Sequence, residues 1–430
     1  MGRFHAVARN IGEPSSDSSY REVSRIGYNL EHRFNDNWVL HNAFQFGYVS
    51  ILQQDVTIGT GLQSDNRRLN RLTVFDSNVL NGYIIDTNLV GQLKTGNIEH
   101  KLLIGFDWYR ETFDLNNSTF ARAPIDVFNP VYGSPLGRRT GTTQTQRINN
   151  TFGLYFQDQI TLTDNLKLVL GGRFDWLDFD SRNRINGVKT TQSDDAFSPR
   201  VGIVYQPLKN TSFYASYSRS FEQVIGNDVR GNPFVPSRGT QYEVGVKIDL
   251  FNSQLSTTLA LYDLTQTNVT TSDPNNPGFN IQTGEQRIRG VELISIGELA
   301  PNWKIVASYI YTDPRITSDR TFSGNFISNS PEHTASLWTT YTIPQGSLQG
   351  LGFGLGVFYV GDREGDNANT FILPNYVRTD AAIYYRQNNL RVQLNLQNLF
   401  NTLYYDAALN RARVNPGNPF EAVLNISWEI

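Results

Sequence analysis

Gln241-Tyr242-Glu243-Val244-Gly245-Val246-Lys247-Ile248-Asp249-Leu250 changes character at every residue. Tyr242, Val244, Val246, Ile248 and Leu250 fall on one side, and Gln241, Glu243, Gly245, Lys247 and Asp249 on the other. A helix groups residues three and four apart, so strict alternation makes this a β-strand with one apolar and one wet face. The same period runs through Arg25 to Phe34. There Ile26, Tyr28, Leu30 and Phe34, with His32 among them, oppose Arg25, Gly27, Asn29, Glu31 and Arg33. Trp303, Ile305, Ala307, Tyr309 and Tyr311 repeat it. So do Leu390, Val392, Leu394 and Leu396 against Arg391, Gln393, Asn395 and Gln397.

These segments read as strands of about ten residues, paired through short polar turns. The turns are Asn35-Asp36-Asn37, Thr95-Gly96-Asn97, Thr163-Asp164-Asn165, Pro207 to Asn210, Ala300-Pro301-Asn302 and Gln387-Asn388-Asn389. The opposite strand ends read as long loops rich in Gly, Pro, Asn and Ser, over 51–70, 112–146, 223–238, 269–284, 361–374 and 401–419. Short turns at one end, long loops at the other and strands alternating apolar with polar predict an all-β fold. Its class is a transmembrane antiparallel β-barrel with short periplasmic turns and long extracellular loops. A soluble sandwich lacks that asymmetry of loop length. Trp38, Phe106 with Trp108, Phe174 with Trp176, Trp303, and Tyr309 with Tyr311 cluster at strand ends, as the aromatic girdles of such barrels do.

Composition agrees. The 430 residues contain 35 Gly, 21 Tyr and 26 Phe, and only 39% are hydrophobic. Net charge is −3, which predicts no nucleic-acid partner. Absence of Cys removes disulfides, thiolate metal sites and thiol nucleophiles. No run of about 18 apolar residues suggests a membrane helix. Met1-Gly2-Arg3-Phe4-His5 leads into polar sequence without the apolar core of a signal peptide.

About seventeen strands are expected, eight hairpins and a last strand, Ala422 to Ile430. An antiparallel barrel closes with an even number, and open edges would leave backbone groups unpaired in lipid at several kcal/mol each. Parity and the missing signal peptide both predict that an N-terminal portion is absent.

Nearly the whole chain resembles the barrel of TonB-dependent ferric-siderophore receptors, and the ferrichrome-type (hydroxamate) branch most closely. The resemblance is carried in order by Gly105-Phe106-Asp107-Trp108, Asp126-Val127-Phe128-Asn129-Pro130-Val131, and Phe156-Gln157-Asp158-Gln159 followed by Gly171-Gly172-Arg173-Phe174-Asp175. Tyr214-Ala215-Ser216-Tyr217-Ser218-Arg219-Ser220-Phe221, Gln241 to Lys247, Arg289-Gly290-Val291-Glu292, Tyr309 to Asp313 and Pro331-Glu332-His333 continue it. Asn398-Leu399-Phe400-Asn401 with Tyr404 ends it. Each tetrapeptide is unspecific; their order and spacing are specific. The resemblance implies a barrel of about 22 strands preceded by a plug domain. Residues 1–430 would then be a receptor barrel without its plug, signal peptide and first strands. Departures are the terminal Ser427-Trp428-Glu429-Ile430, where the family ends on an aromatic, and Gly417-Asn418-Pro419-Phe420, which lacks the family's Arg. The late-loop Cys pair of some members is also missing.

Gly245 and Gly290 are expected on the inward face, letting strands bend or another body approach closely. Glu243, Arg173, Glu292 and Arg391 should share that face, meeting either water or a plug.

Little points to catalysis. His5, His32, His41, His100 and His333 are scattered without metal-ligand spacing. No nucleophile elbow, P-loop or dinucleotide fingerprint occurs. Asp194-Asp195 and Asp362-Arg363-Glu364-Gly365-Asp366-Asn367 read as solvated loop acids, the second without the spacing of a Ca²⁺ loop. The expectation is no enzyme and no cofactor. By the resemblance, the protein would be a monomer in outer-membrane lipid that binds a ferric siderophore and imports it with energy from the TonB complex. That coupling would run through the missing plug, so this chain alone should not drive import. Such a ligand arrives with its iron chelated and needs aromatic surfaces and hydrogen-bond donors rather than metal ligands. The candidates on the long-loop side are Phe128, Tyr109, Tyr132, Phe234, Tyr404 and Tyr405, with Arg122 as polar partner. The competing expectations are a passive porin-like barrel and a receptor for cobalamin, haem or a saccharide.

Overall fold

Alternation dictates rows of like side chains once strands pair, and those rows are present. The computed structural model describes residues 10–273, 276, 279–411 and 413–429; the readings placed on Met1–His5 and Ile430 fall outside them. Twenty-one strands form among the described residues. The first nine are β1 (Ser18–Asn35), β2 (Trp38–Leu62), β3 (Arg68–Thr95), β4 (Ile98–Asp126), β5 (Arg139–Thr163), β6 (Leu166–Asn183), β7 (Lys189–Leu208), β8 (Thr211–Glu222) and β9 (Ser237–Leu250). Then come β10 (Leu255–Ser272), β11 (Asn280–Ala300), β12 (Trp303–Ser318), β13 (His333–Thr342), β14 (Leu351–Val360), β15 (Arg363–Glu364) and β16 (Ile372–Leu373). The last are β17 (Tyr376–Gln387), β18 (Leu390–Gln397), β19 (Tyr405–Asn410), β20 (Arg413–Pro416) and β21 (Glu421–Trp428). Seventeen belong to one antiparallel sheet; β15–β16 and β19–β20 are small separate ribbons in the loops. No helix among the described residues is long and apolar enough to cross a membrane, which says nothing of crossing by strands.

The chain forms two compact units. The first takes in the described residues up to Thr161, Val169–Arg200 and Ser220–Ser237. One face of its hairpins carries the rows Leu40–Leu89–Ile104–Phe156 and Phe44–Ile85–Trp108–Phe152. These apolar side chains are not core: Ile104 is 51% exposed and Phe156 48%. The opposite face carries Ala43–Asp86–Asp107–Gly153. There Arg173 grips Asp107 through both terminal nitrogens and donates from Nε to Asp175 at 2.8 Å. Tyr155 donates to Asp86 at 2.6 Å. A sheet that is polar on its satisfied face and apolar on its exposed face suits an apolar medium, not water. On the apolar side Phe106, Phe152, Trp176 and Phe174 stand ring against ring at 6.1, 5.7 and 4.5 Å. Just beyond that belt, the row Phe46–Tyr83–Arg110–Asn150 turns polar.

The second unit takes in Leu162–Leu168, Val201–Arg219 and the described residues from Arg238 on. It repeats the division. Val246–Leu259–Leu293–Tyr309–Ala335 forms an apolar row, and Glu243–Tyr262–Gly290–Thr312 lies on the other face. The glycines expected to admit another body are covered instead by neighbouring rings. A Cβ at Gly245 would sit 2.6 Å from the Tyr214 ring, and one at Gly290 2.5 Å from that of Tyr262. Gly105 under Tyr155 and Gly352 under Tyr384 repeat the arrangement. Three of the lid tyrosines are locked across strands, Tyr155 by Asp86, Tyr214 by a 2.7 Å hydrogen bond to Glu243 and Tyr384 by Thr342.

Strand length departs from the ten-residue expectation. β4 has 29 residues, on the order of 100 Å of chain, whereas a tilted membrane crossing takes about 9–11. Residues 51–62, 112–126 and 139–146, expected as loop, are paired strand. Beyond the aromatic belt both faces meet water, so alternation disappears while backbone pairing continues. Of the expected loops 51–70 and 112–146, residues 63–67 and 127–138 remain outside the strands.

Candidate ligand-binding site

The outer ends of the hairpins are where burial concentrates. In the first unit, Leu69, Val74, Ile125 and Val127 are buried together with Thr57 and Thr73, whose hydroxyls bond at 3.0 Å. Around this small core, Glu13 is only 2% exposed and sits between two guanidinium groups. Arg71 Nη2 lies 3.1 Å from Glu13 Oε1, and Arg122 Nε 3.8 Å. Arg71 also donates to the carbonyls of Ala123, Ile11 and Gly12. Burial alone would raise the Glu13 carboxyl. The Gly133 N–H, the Ser134 hydroxyl and the charges of Arg71 and Arg122 outweigh it and hold that carboxyl below the usual range. The neighbouring Asp17 goes the other way, pushed up by burial and by Asp55 against its hydrogen bonds and Arg122.

The loop 127–138 carries two of the sequence candidates. Phe128 is 42% exposed, with the Arg67 guanidinium 5.9 Å above its ring. Its amide is held by Asp126, whose carboxyl Arg67 and the Phe128 and Asn129 amides hold below its ordinary value against desolvation. Tyr132 is 40% exposed, and its hydroxyl donates to the Asn10 carbonyl at 2.8 Å. Arg122 is buried beneath them, donating to Asp55 at 3.0 Å. Asp55 stands at a β-bulge with φ 56°, a conformation rare for a non-glycine residue, which brings its carboxylate to Arg122. Tyr109 lies on β4, on the same face as Asp107, and donates to Glu111 at 2.5 Å. Phe234 is buried in the loop before β9. Gln192 ties its carbonyl at 3.0 Å.

The other two candidates belong to the second unit, each buried. Tyr404 stacks on Tyr376 at 4.5 Å and covers Gly417. Tyr405 packs with Leu373 and Ala408. Arg363, also buried, donates to the carbonyls of Tyr405 and Asp406 and lies 5.7 Å from the Tyr376 ring. Asn398 explains the Asn398-Leu399-Phe400-Asn401 motif physically: 1% exposed, it donates to the carbonyls of Thr402 and Asn418 and accepts from the Thr402 amide. It is a loop clasp. Two of the acids of 362–367 are likewise engaged by their own loop, Asp366 by Thr370 and Asp362 by Asn375, whereas burial and the charge of Asp366 push the half-buried Glu364 carboxyl up. No group of side chains suited to a metal ion occurs among the described residues.

Sequence reading missed Glu13, Arg71 and Asp55. No spacing marks them, because they meet only through long-range pairing of β2, β3 and β4 with residues 10–17.

Comparison with known proteins identifies the class. The family described as TonB dependent receptor-like, beta-barrel matches residues 4–399, and the chain belongs to it. Proteins of this family reside in the Gram-negative outer membrane, which accounts for the exposed apolar face. The ferrichrome outer membrane transporter/phage receptor of Escherichia coli is 33% identical over 93% of this chain and 58% of its own length. The metal-pseudopaline receptor CntO of Pseudomonas aeruginosa is 32% identical over 98% of this chain and 61% of its own. The chain thus spans about 60% of the length of these relatives. The siderophore receptor PiuA of Acinetobacter baumannii shares the fold, with a TM-score of 0.85 at 23% identity over 97% of this chain and 66% of that one.

Proposed function

We propose that this protein supplies the barrel of a receptor that binds a ferric siderophore at the outer surface, for import energised through TonB, and that the chelate is of the hydroxamate class. What carries the reading is the family membership joined to one feature of this chain: the exposed candidates Phe128 and Tyr132 are uncharged aromatic side chains. Both stand on the loop 127–138, where Arg67, over the Phe128 ring, is engaged by Asp126, and the buried Arg122 by Asp55. A neutral hydroxamate chelate matches rings and hydroxyls. The relatives' names favour a metal chelate over cobalamin, haem or a passive pore.

The test is direct binding to the purified chain in detergent, read by tyrosine and tryptophan fluorescence. Ferrichrome or ferrioxamine B should bind, and cobalamin and haem should not compete. Phe128→Ala should weaken ferrichrome about tenfold, or ~1.4 kcal/mol. Equal affinity for cobalamin, or steady ion conductance with no ligand binding, would refute the reading.

A further inference from the structure

Among the described residues of the first unit, Glu13 is an acidic side chain buried between two arginines, and the siderophore reading gives it no role. Its two oxygens divide their partners. Oε2 accepts from the Gly133 amide at 2.7 Å, and Oε1 from the Ser134 hydroxyl at 3.1 Å and from Arg71. Arg71 in turn donates to Ile11, Gly12 and Ser134, so one guanidinium joins the segment 10–17 to the loop 127–138. Tyr132 closes the far side by donating to Asn10. The segment is itself preshaped: the amides of Ser16 and Asp17 both donate to the Glu13 carbonyl, and a Cβ at Gly12 would meet the Asp17 carboxylate at 2.0 Å.

We propose that Glu13 is a positioning residue for ligand recognition, and that residues 10–17 form a strap fixing the loop 127–138 so that Phe128 and Tyr132 face the ligand preformed. The ties that leave the strap end on the loop, among them the Tyr132 hydroxyl, or on the strands beneath it. Among the described residues, the loop's other backbone hydrogen bonds lie near its ends: the Val127 amide to the Arg67 carbonyl, the Phe128 and Asn129 amides to Asp126, the Gly137 amide to the Ala121 carbonyl and the Ala121 amide to the Arg138 carbonyl. Without the strap, its middle would be free to sample other conformations. Ordering it would then be charged to each binding event, and affinity would fall without loss of any ligand contact.

This inference rests on the siderophore reading, and two measurements on the full chain separate them. The first is hydrogen exchange of peptides covering 127–138 and of the β2–β4 ladder, without ligand. Glu13→Ala should speed exchange at Gly133 and Ser134 about tenfold or more and leave the ladder unchanged. Glu13→Gln keeps an acceptor for the Gly133 amide and should fall between. Tyr132→Phe, which keeps the ring and removes only the tie to Asn10, should loosen the loop less. The second measurement is ferrichrome affinity. Glu13→Ala should weaken it about tenfold, and adding Phe128→Ala should then cost much less than in the parent, because a loosened loop no longer presents that ring. Unchanged loop exchange in Glu13→Ala overturns the strap. Faster loop exchange with unchanged ferrichrome affinity overturns the positioning role, as does loss of ladder protection, which would make Glu13 a residue of the fold. Absence of ferrichrome binding to the unsubstituted chain overturns the siderophore reading instead.

Discussion

The two units close their outer loops by different physics. In the first, a carboxylate and two guanidinium groups are taken out of water together, and the strap at 10–17 is held by charge. In the second, the Tyr376 and Tyr404 rings pack 4.5 Å apart, Tyr405 packs on Leu373 and Ala408, and the buried Arg363 donates from Nη2 to the carbonyls of Tyr405 and Asp406. Aromatic packing tolerates the loss of a polar partner. A buried ion cluster does not, because any partner removed leaves a charge behind in a dry place. The difference predicts which end fails when one side chain is cut back.

Arg71→Ala should have the largest effect. It strands Glu13, and breaking a buried pair from one side costs about 3–5 kcal/mol. Exchange protection of residues 10–17 and 127–138 should collapse while the second unit keeps its own. Retained protection would mean that Arg122 and Ser134 suffice for Glu13. Tyr404→Ala comes next, at about 3 kcal/mol from the cavity left over Gly417 and beside Tyr376, seen as faster exchange over 398–420.

Acid sharpens the contrast. Glu13 is held below its ordinary value of 4.5, so the stability it contributes is complete above that value and is lost as pH falls through its lower folded value. Asp17 is raised above 3.8, so its buried charge is a penalty at neutral pH that is relieved as pH falls through its folded value. Strap protection should therefore hold near neutrality and fall below about 4.5 through Glu13, with the relief of Asp17 opposing that loss. A monotonic loss beginning near neutrality would contradict both assignments.

Much of this was legible in the sequence. Gln241 to Leu250 and Arg25 to Phe34 announce their strands because lipid on one side and a polar face on the other impose period two. Where that contrast ends, so does legibility: Asn116, Asn117 and Thr140 to Thr145 read as loop although they lie in β4 and β5. Phe128 and Tyr132 could be chosen as exposed aromatics from the loop matching the family. That Arg122, Phe234, Tyr404 and Tyr405 are buried could not, because burial at the outer ends depends on which distant loops meet. The tyrosine lids over Gly245 and Gly290 were half visible. The glycines drew attention, but their partners lie one strand away and need the register.

The smallest expected effect discriminates best. Tyr404→Phe removes only the hydroxyl, whose one recorded partner is Arg378 Nη1 at 3.4 Å, a long hydrogen bond. The ring stays on Tyr376 and over Gly417, and Arg378 keeps Asp380 through Nε and Nη2 at 3.1 and 3.0 Å. Neither a cavity nor an unpaired charge results, so the cost should be below about 1 kcal/mol. Exchange over 398–420 should be nearly that of the parent chain. A loss comparable to that of Tyr404→Ala would show that the second closure also depends on a polar tie, and the contrast between a charged strap and an aromatic clasp would no longer hold.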